Sequence, residues 1–189
     1  KIDKKEEAKY FKKSADLGHP DSIYFYAKML FDGDGIEENK KDAIRYFQIS
    51  ADRGDIKSSF IIGKLFYEGQ IIEVDYSKAA FYLKKAVDNK IVDAYEIYGN
   101  MLLTGKGVEI DKEQGYNYLY LAALLDYPLA QFCIGKMLYD GENVVTNKKE
   151  AFKYFKKAAD QGIIEAMYYY GFMLYHGDDV EVNKIEAAK

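Results

Sequence analysis

The segment YGNMLLTGKGVEIDKEQGYNYLYLAA, residues 98–123, decides the fold because its pattern returns along the chain every 36 residues. Three series of residues carry this period, two of them small residues and one of them tyrosines. They are Ala27, Gly63, Gly99, Gly135 and Gly171; Gly33, Gly69, Gly105, Gly141 and Gly177; and Tyr10, Tyr46, Tyr82, Tyr118 and Tyr154. A fixed period of this length predicts a stacked array of small repeats, not a single globular core.

Each repeat contains two helical patterns, which we call helix A and helix B. Helix A ends at the Gly105 series, because a glycine just past a helix adopts the left-handed capping conformation. Helix B follows a residue whose side chain caps helix N-termini well. These capping residues are Asn39, Asp75, Asp111, Asn147 and Asn183. No long alternation of the β type interrupts the pattern, so the predicted fold is all-α.

Small residues recur inside helix B at positions where close helix packing is expected. They are Ala43, Ala79, Gly115, Ala151 and Ala187 early in the helix, and Ser50, Ala86, Ala122 and Ala158 later. The repeats divide the chain into a partial repeat (1–21), four full repeats (22–57, 58–93, 94–129, 130–165) and a truncated repeat (166–189). We predict one solenoid domain over 1–189. Both chain ends fall inside a repeat, so we expect a fragment of a longer protein.

Composition narrows the function classes. The chain has 189 residues, 27 Lys and Arg against 31 Asp and Glu, and a net charge of -4, which argues against a nucleic-acid binder. No apolar run reaches the roughly 18 residues of a membrane span. Its single cysteine, Cys133, cannot form an internal disulfide, which fits a reducing compartment and predicts a cytoplasmic location.

The repeat resembles that of the Sel-one-like repeat family, a relative of the tetratricopeptide repeats. The third full repeat carries the resemblance best, with Tyr98-Gly99, Leu102, residues 105–108 (GKGV), Asp111 and Ala122-Ala123. The resemblance implies a right-handed α/α superhelical solenoid built from 36-residue helix-loop-helix repeats. It also implies an adaptor that binds proteins. Cysteine-rich secreted members carry one disulfide per repeat, and this chain lacks those cysteines.

The loop glycine pair of the family is broken in some repeats. The second glycine, present as Gly35 and Gly107, is replaced by Asn143 and Asp179, which tolerate positive φ. In the second full repeat it is Ile71, so we expect a loop of another shape there.

A second stripe on helix A predicts a binding surface. Its residues follow an i, i+4, i+7 spacing, which places each trio on one helical face. This aromatic stripe consists of Tyr24, Lys28, Phe31, Phe60, Lys64, Tyr67, Phe132, Lys136, Tyr139, Tyr168, Phe172 and Tyr175, with Asn100 at the corresponding place in the third full repeat. By resemblance to tetratricopeptide arrays, the stripe lines a concave groove. Aromatic rings with lysines suit a peptide carrying apolar and acidic side chains.

Two features weaken that hypothesis. The rings can instead pack against the next helix A. Each lysine also precedes an acid by four residues, as in Lys28–Asp32, Lys64–Glu68 and Lys136–Asp140, and such pairs partly neutralise one another. A polyanion would therefore meet a mixed surface, which again disfavours nucleic acid.

Helix B of the third full repeat departs from its neighbours on its surface. Where other repeats carry mostly lysine pairs, aspartate and polar residues, it carries Tyr120, Leu121, Leu124 and Leu125. Exposed apolar clusters mark contacts, so we predict an outer contact on helix 111–126, for a partner or for self-association. The alternative is that neighbouring loops or flanking repeats cover these side chains.

Catalysis, cofactor binding and metal binding receive no support from the sequence. The two histidines, His19 and His176, lack a helical cysteine or carboxylate at metal-ligand spacing, and Cys133 occupies an apolar helix-A position. The leading hypothesis is a non-catalytic scaffold that binds a protein or peptide on its concave face. Two alternatives stay open: the targeting arm of a larger enzyme such as a kinase or ubiquitin ligase, and a structural array that self-associates, through its cut ends among other surfaces.

Overall fold

The structure, a computed structural model, describes residues 3–188, and these form eleven α-helices joined by short loops, without a strand. The helices are α1 Lys4–Asp16, α2 Pro20–Asp32, α3 Lys40–Asp52, α4 Ile56–Glu68, α5 Tyr76–Asp88, α6 Asp93–Thr104, α7 Lys112–Leu124, α8 Pro128–Asp140, α9 Lys148–Asp160, α10 Ile164–His176 and α11 Lys184–Ala187. Even-numbered helices are helix A and odd-numbered helices are helix B. The predicted all-helical repeat is confirmed.

Both kinds of helix end are capped as the sequence predicts. The side chain of Asp111 accepts a hydrogen bond from the backbone N–H of Gln114 at 2.9 Å, and the other four predicted caps do the same. Each glycine of the Gly105 series has positive φ, so the chain turns away from helix A. Just after helix B, two repeats carry Lys90 and Asp126, and these residues take the left-handed conformation with φ of 60° and 63°.

In the loop between helix A and helix B, the backbone conformation at the position of the second family glycine differs in one repeat, as expected. Gly35, Gly107, Asn143 and Asp179 all have positive φ. Ile71 does not, because a β-branched side chain is strained in the left-handed region. The second full repeat therefore reaches helix B through a different loop.

The chain's contacts cluster in two compact units, which we describe separately. The N-terminal unit runs to Ala94 and includes Lys106–Val108. The C-terminal unit comprises Tyr95–Gly105 and the chain from Glu109 onward. Within each unit helix A packs against the helix B that follows it, and that helix B packs against the next helix A.

Small residues set the distance between paired helices. In the C-terminal unit a side chain on Gly115 of α7 would lie 2.9 Å from the carbonyl oxygen of Gly99 on α6. The two backbones can approach this closely only because neither residue has a Cβ. Around them Leu119, Ile134 and Tyr154 form a buried cluster that joins α7, α8 and α9. In the N-terminal unit the equivalent core contains Ile23, Phe47, Ile62 and Leu83, all fully buried.

Candidate functional site

The aromatic stripe of the N-terminal unit is half buried, with its lysines exposed. On α2 the ring of Tyr24 lies 6.1 Å from that of Phe47, and Phe31 lies 6.0 Å from the same ring. Phe60 and Tyr67 on α4 are also half buried, while Lys28 and Lys64 reach solvent. The rings therefore support helix B on one side and present an edge to solvent on the other.

Cations approach these rings from neighbouring elements. The ammonium group of Lys57 lies 5.8 Å from the Tyr24 ring, and that of Lys40 lies 5.9 Å from Phe31. Lys106 lies 5.8 Å from Tyr67. Such cation–π contacts are worth about 0.5–1 kcal/mol at exposed sites. Lys57 and Lys106 have no ion-pair partner within residues 3–188, whereas Lys40 pairs with Glu38 at 3.4 Å.

The predicted neutralising pairs form only in part. Lys64 pairs with Glu68 at 3.7 Å and Lys136 with Asp140 at 2.7 Å. Lys28 and Asp32 form no ion pair in the described structure, contrary to the prediction. Exposed i, i+4 pairs contribute only about 0.3–0.5 kcal/mol, so nothing compels this one to close. Lys28 and Asp32 instead line a cleft of about 180 Å³ together with Phe11, Phe25 and the acids Glu7 and Asp34.

The stripe on α8 in the C-terminal unit is covered by the next helix A. Phe132 and Tyr139 lie 6.0 Å and 5.8 Å from the ring of Tyr169 on α10, and both also contact Phe155 of α9. For these two residues the structure shows the packing that the sequence left open as the alternative. Tyr169 was missed as their partner, although its repeat position carries an apolar side chain in every repeat.

A network of partly buried polar groups holds the Tyr139 side chain in place. Its hydroxyl donates a hydrogen bond to Asp178 at 2.6 Å, and Lys148 pairs with the same carboxylate at 2.7 Å. The hydrogen bond to Asp178, followed by burial, raises the pKa of Tyr139 to about 12. Lys148 and Tyr139 together lower the pKa of Asp178. Tyr139 is therefore a neutral structural group, and sequence reasoning missed both of its partners.

The stripe on α10 is open to solvent. Tyr168 is 65% exposed, Tyr175 52% and Phe172 36%. The Phe172 ring lies 4.5 Å from that of His176, and these side chains line a shallow depression. This aromatic surface is the most accessible part of the predicted stripe. Asn100 on α6 lies half buried at its own stripe position.

The apolar residues predicted on helix 111–126 are exposed. Leu124 and Leu125 are 55% and 54% exposed, and Leu121 is 44% exposed. A fifth residue, Leu129 in the first turn of α8, is 48% exposed and was missed. Its repeat position carries a charged residue in the other repeats, namely Asp21, Lys57, Asp93 and Glu165. We call Tyr120, Leu121, Leu124, Leu125 and Leu129 the leucine face.

The single cysteine, Cys133, lies partly buried on α8 in the C-terminal unit. Burial, with a smaller contribution from the charge of Glu96, raises the pKa of Cys133 to about 11, so its thiol stays protonated at neutral pH. No group of three or more potential metal ligands occurs within residues 3–188. None of the helices described there is both long and apolar enough to cross a lipid bilayer.

The repeat architecture decides the family. The Sel1 repeat model matches residues 8–19, 20–55, 57–90, 92–127, 128–163 and 164–189, which is nearly the whole chain. The chain belongs to the Sel1 repeat family. Proteins of this family are generally interaction scaffolds and typically non-catalytic.

Solved structures agree on the fold. A Sel1 repeat protein from Oxalobacter formigenes superposes with a TM-score of 0.78 at 26% identity, over 98% of this chain and 76% of its own. A protective antigen of uropathogenic Escherichia coli strains that displays an SLR fold gives a TM-score of 0.80 at 24% identity. The match covers 95% of this chain but only 38% of that antigen. Comparison with curated protein sequences finds no significant match.

Proposed function

We propose that this Sel1 repeat chain is a non-catalytic scaffold whose helix-A face binds a peptide or protein segment with apolar and acidic side chains. The observation that carries the proposal is the recurrence of aromatic side chains on the helix-A face of both units, as Tyr24 and Phe31 on α2 and as Tyr168 and Tyr175 on α10. Aromatic side chains on a rigid helix offer a large contact area at a low cost in conformational entropy.

The N-terminal unit supports the same kind of ligand by a different arrangement. There the rings are half buried, and the exposed groups beside them are Lys28 and Lys64. Within residues 3–188 Lys28 has no ion-pair partner, and it borders the cleft that Phe11 and Phe25 line. The cleft is also lined by Glu7, Asp32 and Asp34, so a ligand carboxylate would reach Lys28 from its solvent side while an apolar side chain occupies the cleft.

Selection from a random peptide library displayed on phage, against the whole chain, tests the proposal. We expect enriched peptides to combine aromatic or aliphatic residues with Asp or Glu. The substitutions Tyr168→Ala and Tyr175→Ala together should weaken their binding about tenfold, since each ring is a potential hot spot. Lys28→Glu should weaken the peptides that bind the N-terminal unit.

The control must remove exposed apolar area elsewhere in the same unit. Val145, which lies in a loop and is 89% exposed, provides it as Val145→Ala. Phe132 and Tyr139 are unsuitable for this test because their rings pack against Tyr169, so their removal would damage the fold. The proposal would be contradicted if the enriched peptides bound the Tyr168→Ala, Tyr175→Ala and Lys28→Glu variants as tightly as they bind the parent chain.

A further inference from the structure

The leucine face is an outer surface. Its Tyr120 stacks on Tyr116 at 5.9 Å, but its leucines do not serve the repeat. At these positions the next helix B, α9, carries Lys156, Lys157, Asp160 and Gln161 and still packs in the same way. The repeat therefore folds without leucines at these sites. Five large apolar side chains gathered on one surface exceed the scattered exposed residues of an ordinary soluble protein.

At the repeat position of Leu124, other repeats carry an aspartate that accepts a hydrogen bond from a tyrosine of the next helix B. In the N-terminal unit the hydroxyl of Tyr46 donates to Asp16 at 3.1 Å, and that of Tyr82 donates to Asp52 at 2.7 Å. Each bond joins one helix B to the preceding helix B. Tyr154 of α9 stands at the same repeat position, but Leu124 occupies the place of its acceptor. Tyr154 turns instead to the hydroxyl of Tyr120 on α7, so the position of Leu124 no longer carries the bond between repeats.

Basic side chains run along the neighbouring helix. Lys149, Lys153 and Lys157 on α9 follow one another at intervals of four residues, so they form a row of roughly 12 Å. Lys153 is paired with Glu150 at 2.8 Å. Lys149 and Lys157 are exposed and have no acidic partner within residues 3–188.

The lysine row of α9, formed by Lys149, Lys153 and Lys157, belongs to the same surface as the leucine face. Lys157 stands at the repeat position of Leu121, so both helices point these residues outward in the same way. Both helices pack against α8, and Tyr154 of α9 lies in the same buried cluster as Leu119 of α7. An apolar strip on α7 is therefore bordered by a basic strip on α9.

We propose that the leucine face, with Lys149 and Lys157, is a second docking surface, and that it binds an amphipathic helix of a partner protein with an acidic edge beside its apolar face. Apolar residues at i, i+3 and i+4 spacing on the partner helix would lie along the leucines. Glu or Asp at i, i+4 spacing along its edge would meet the two free lysines, and this charge complementarity fixes the direction of the helix.

Other occupants fit less well. A second copy of this chain packed on the same surface would place lysines against lysines along the α9 edge. Asp126 and Asp160 on this surface are already engaged by Gln131 and Lys156, so Lys149 and Lys157 remain the charges that a partner's acids would meet. A helix can align its acids with these two lysines as a fluid bilayer cannot. Only a ligand with a separate apolar face and acidic edge satisfies both strips.

Two displayed libraries of helical peptides test the inference against the whole chain. The libraries share an apolar face and differ only in carrying glutamates or lysines along its edges. We expect enrichment from the glutamate library alone, with binding that weakens as salt is raised. Leu121→Lys with Leu125→Lys should weaken the enriched peptides at least tenfold. Lys149→Glu with Lys157→Glu should weaken them severalfold and transfer enrichment to the lysine library.

The matched control is Val145→Lys with Ile164→Lys, which adds two lysines at exposed apolar sites outside this surface. Circular dichroism verifies that each variant is folded. Enrichment of neither library or of both equally would overturn the inference. So would loss of binding with Tyr168→Ala, since that substitution lies on α10. Two further outcomes would overturn the inference if no peptide is enriched. One is binding to vesicles of phosphatidylcholine and phosphatidylserine that the leucine-face variants abolish. The other is dimerisation in sedimentation velocity that these variants abolish.

Discussion

Helices α7 and α9 occupy the same place in consecutive repeats of the C-terminal unit, and their inward sides are built alike. Leu119 and Phe155 are both fully buried at one core position, and Ala122 and Ala158 are fully buried at another. Their outward sides share almost nothing. Where α9 carries lysines and an aspartate, α7 carries the leucine face. Helix α9 is amphipathic throughout, whereas α7 is apolar on both sides from Tyr120 to its end.

The difference separates what the repeat requires from what it allows. A stacked array is stabilised by contacts between neighbouring repeats, and these contacts involve only the inward sides of its helices. Outward positions are therefore free to differ without changing the fold. A residue that repeats is a packing or capping residue, and a residue that breaks the pattern on the surface requires another explanation.

The largest effect is expected where α7 and α9 agree. Leu119→Ala should lower the free energy of unfolding by about 2–5 kcal/mol and Phe155→Ala by about 3–5 kcal/mol, because each leaves a cavity in a packed core. Urea unfolding followed by circular dichroism measures both. Leu121→Ala, the same chemical change on the outer side of α7, should alter the free energy by less than about 0.5 kcal/mol. Equal losses for Leu119 and Leu121 would refute the division into inward and outward sides.

An intermediate effect is expected from exchanging the inter-repeat hydrogen bond. Leu124→Asp should raise the free energy of unfolding by up to about 1 kcal/mol, since it supplies Tyr154 with the acceptor that other repeats have. Asp52→Leu should lower it by about the same amount, because Tyr82 loses its acceptor. A double-mutant cycle that combines Leu124→Asp with Tyr154→Phe isolates the new bond. If Tyr154→Phe costs the same in the parent as in the Leu124→Asp variant, no bond has formed.

Much of the fold could be predicted from the sequence, because its determinants are local. Asn and Asp before helix B cap it through their own side chains, and glycine after helix A takes a conformation that other residues avoid. Even Ile71 could be recognised as an exception from its β-branched side chain. The period itself locates each helix, so one well-matched repeat defines the others.

The candidate site was less predictable, because exposure depends on which side chain of the next repeat reaches a given position. Phe132 of α8, for example, is covered by Tyr169 of the following helix A. The spacing along one helix does not reveal such a contact. The leucine face was easier to identify, because polar residues at the same positions in other repeats show that the position faces outward. Leu129 could have been found by that comparison.

A smaller effect, confined to alkaline solution, is expected from Tyr154. Burial, with a contribution from nearby Tyr120, raises the pKa of Tyr154 to about 12, above the ordinary value of 10.0. The stability that the neutral phenol provides is therefore complete below pH 10 and is lost as the pH rises toward 12. Tyr154→Phe should lose less stability than the parent between these values in urea unfolding at a series of pH values. Parallel curves for the two proteins would show that Tyr154 titrates alike in the folded and unfolded chains.

The smallest effect is expected when the leucine face is given the residues of α9. Leu121→Lys with Leu125→Gln should change the free energy of unfolding by less than about 0.5 kcal/mol, as surface substitutions usually do. Urea midpoints compared with the parent measure the change. The size of the change distinguishes two explanations of the leucine face. A leucine that the fold covers would cost several kcal/mol when replaced by a charged group, whereas a leucine retained for a partner costs the isolated chain nothing. A large loss would therefore mean that these side chains belong to the core of the repeat, and the contrast between α7 and α9 would then be one of packing.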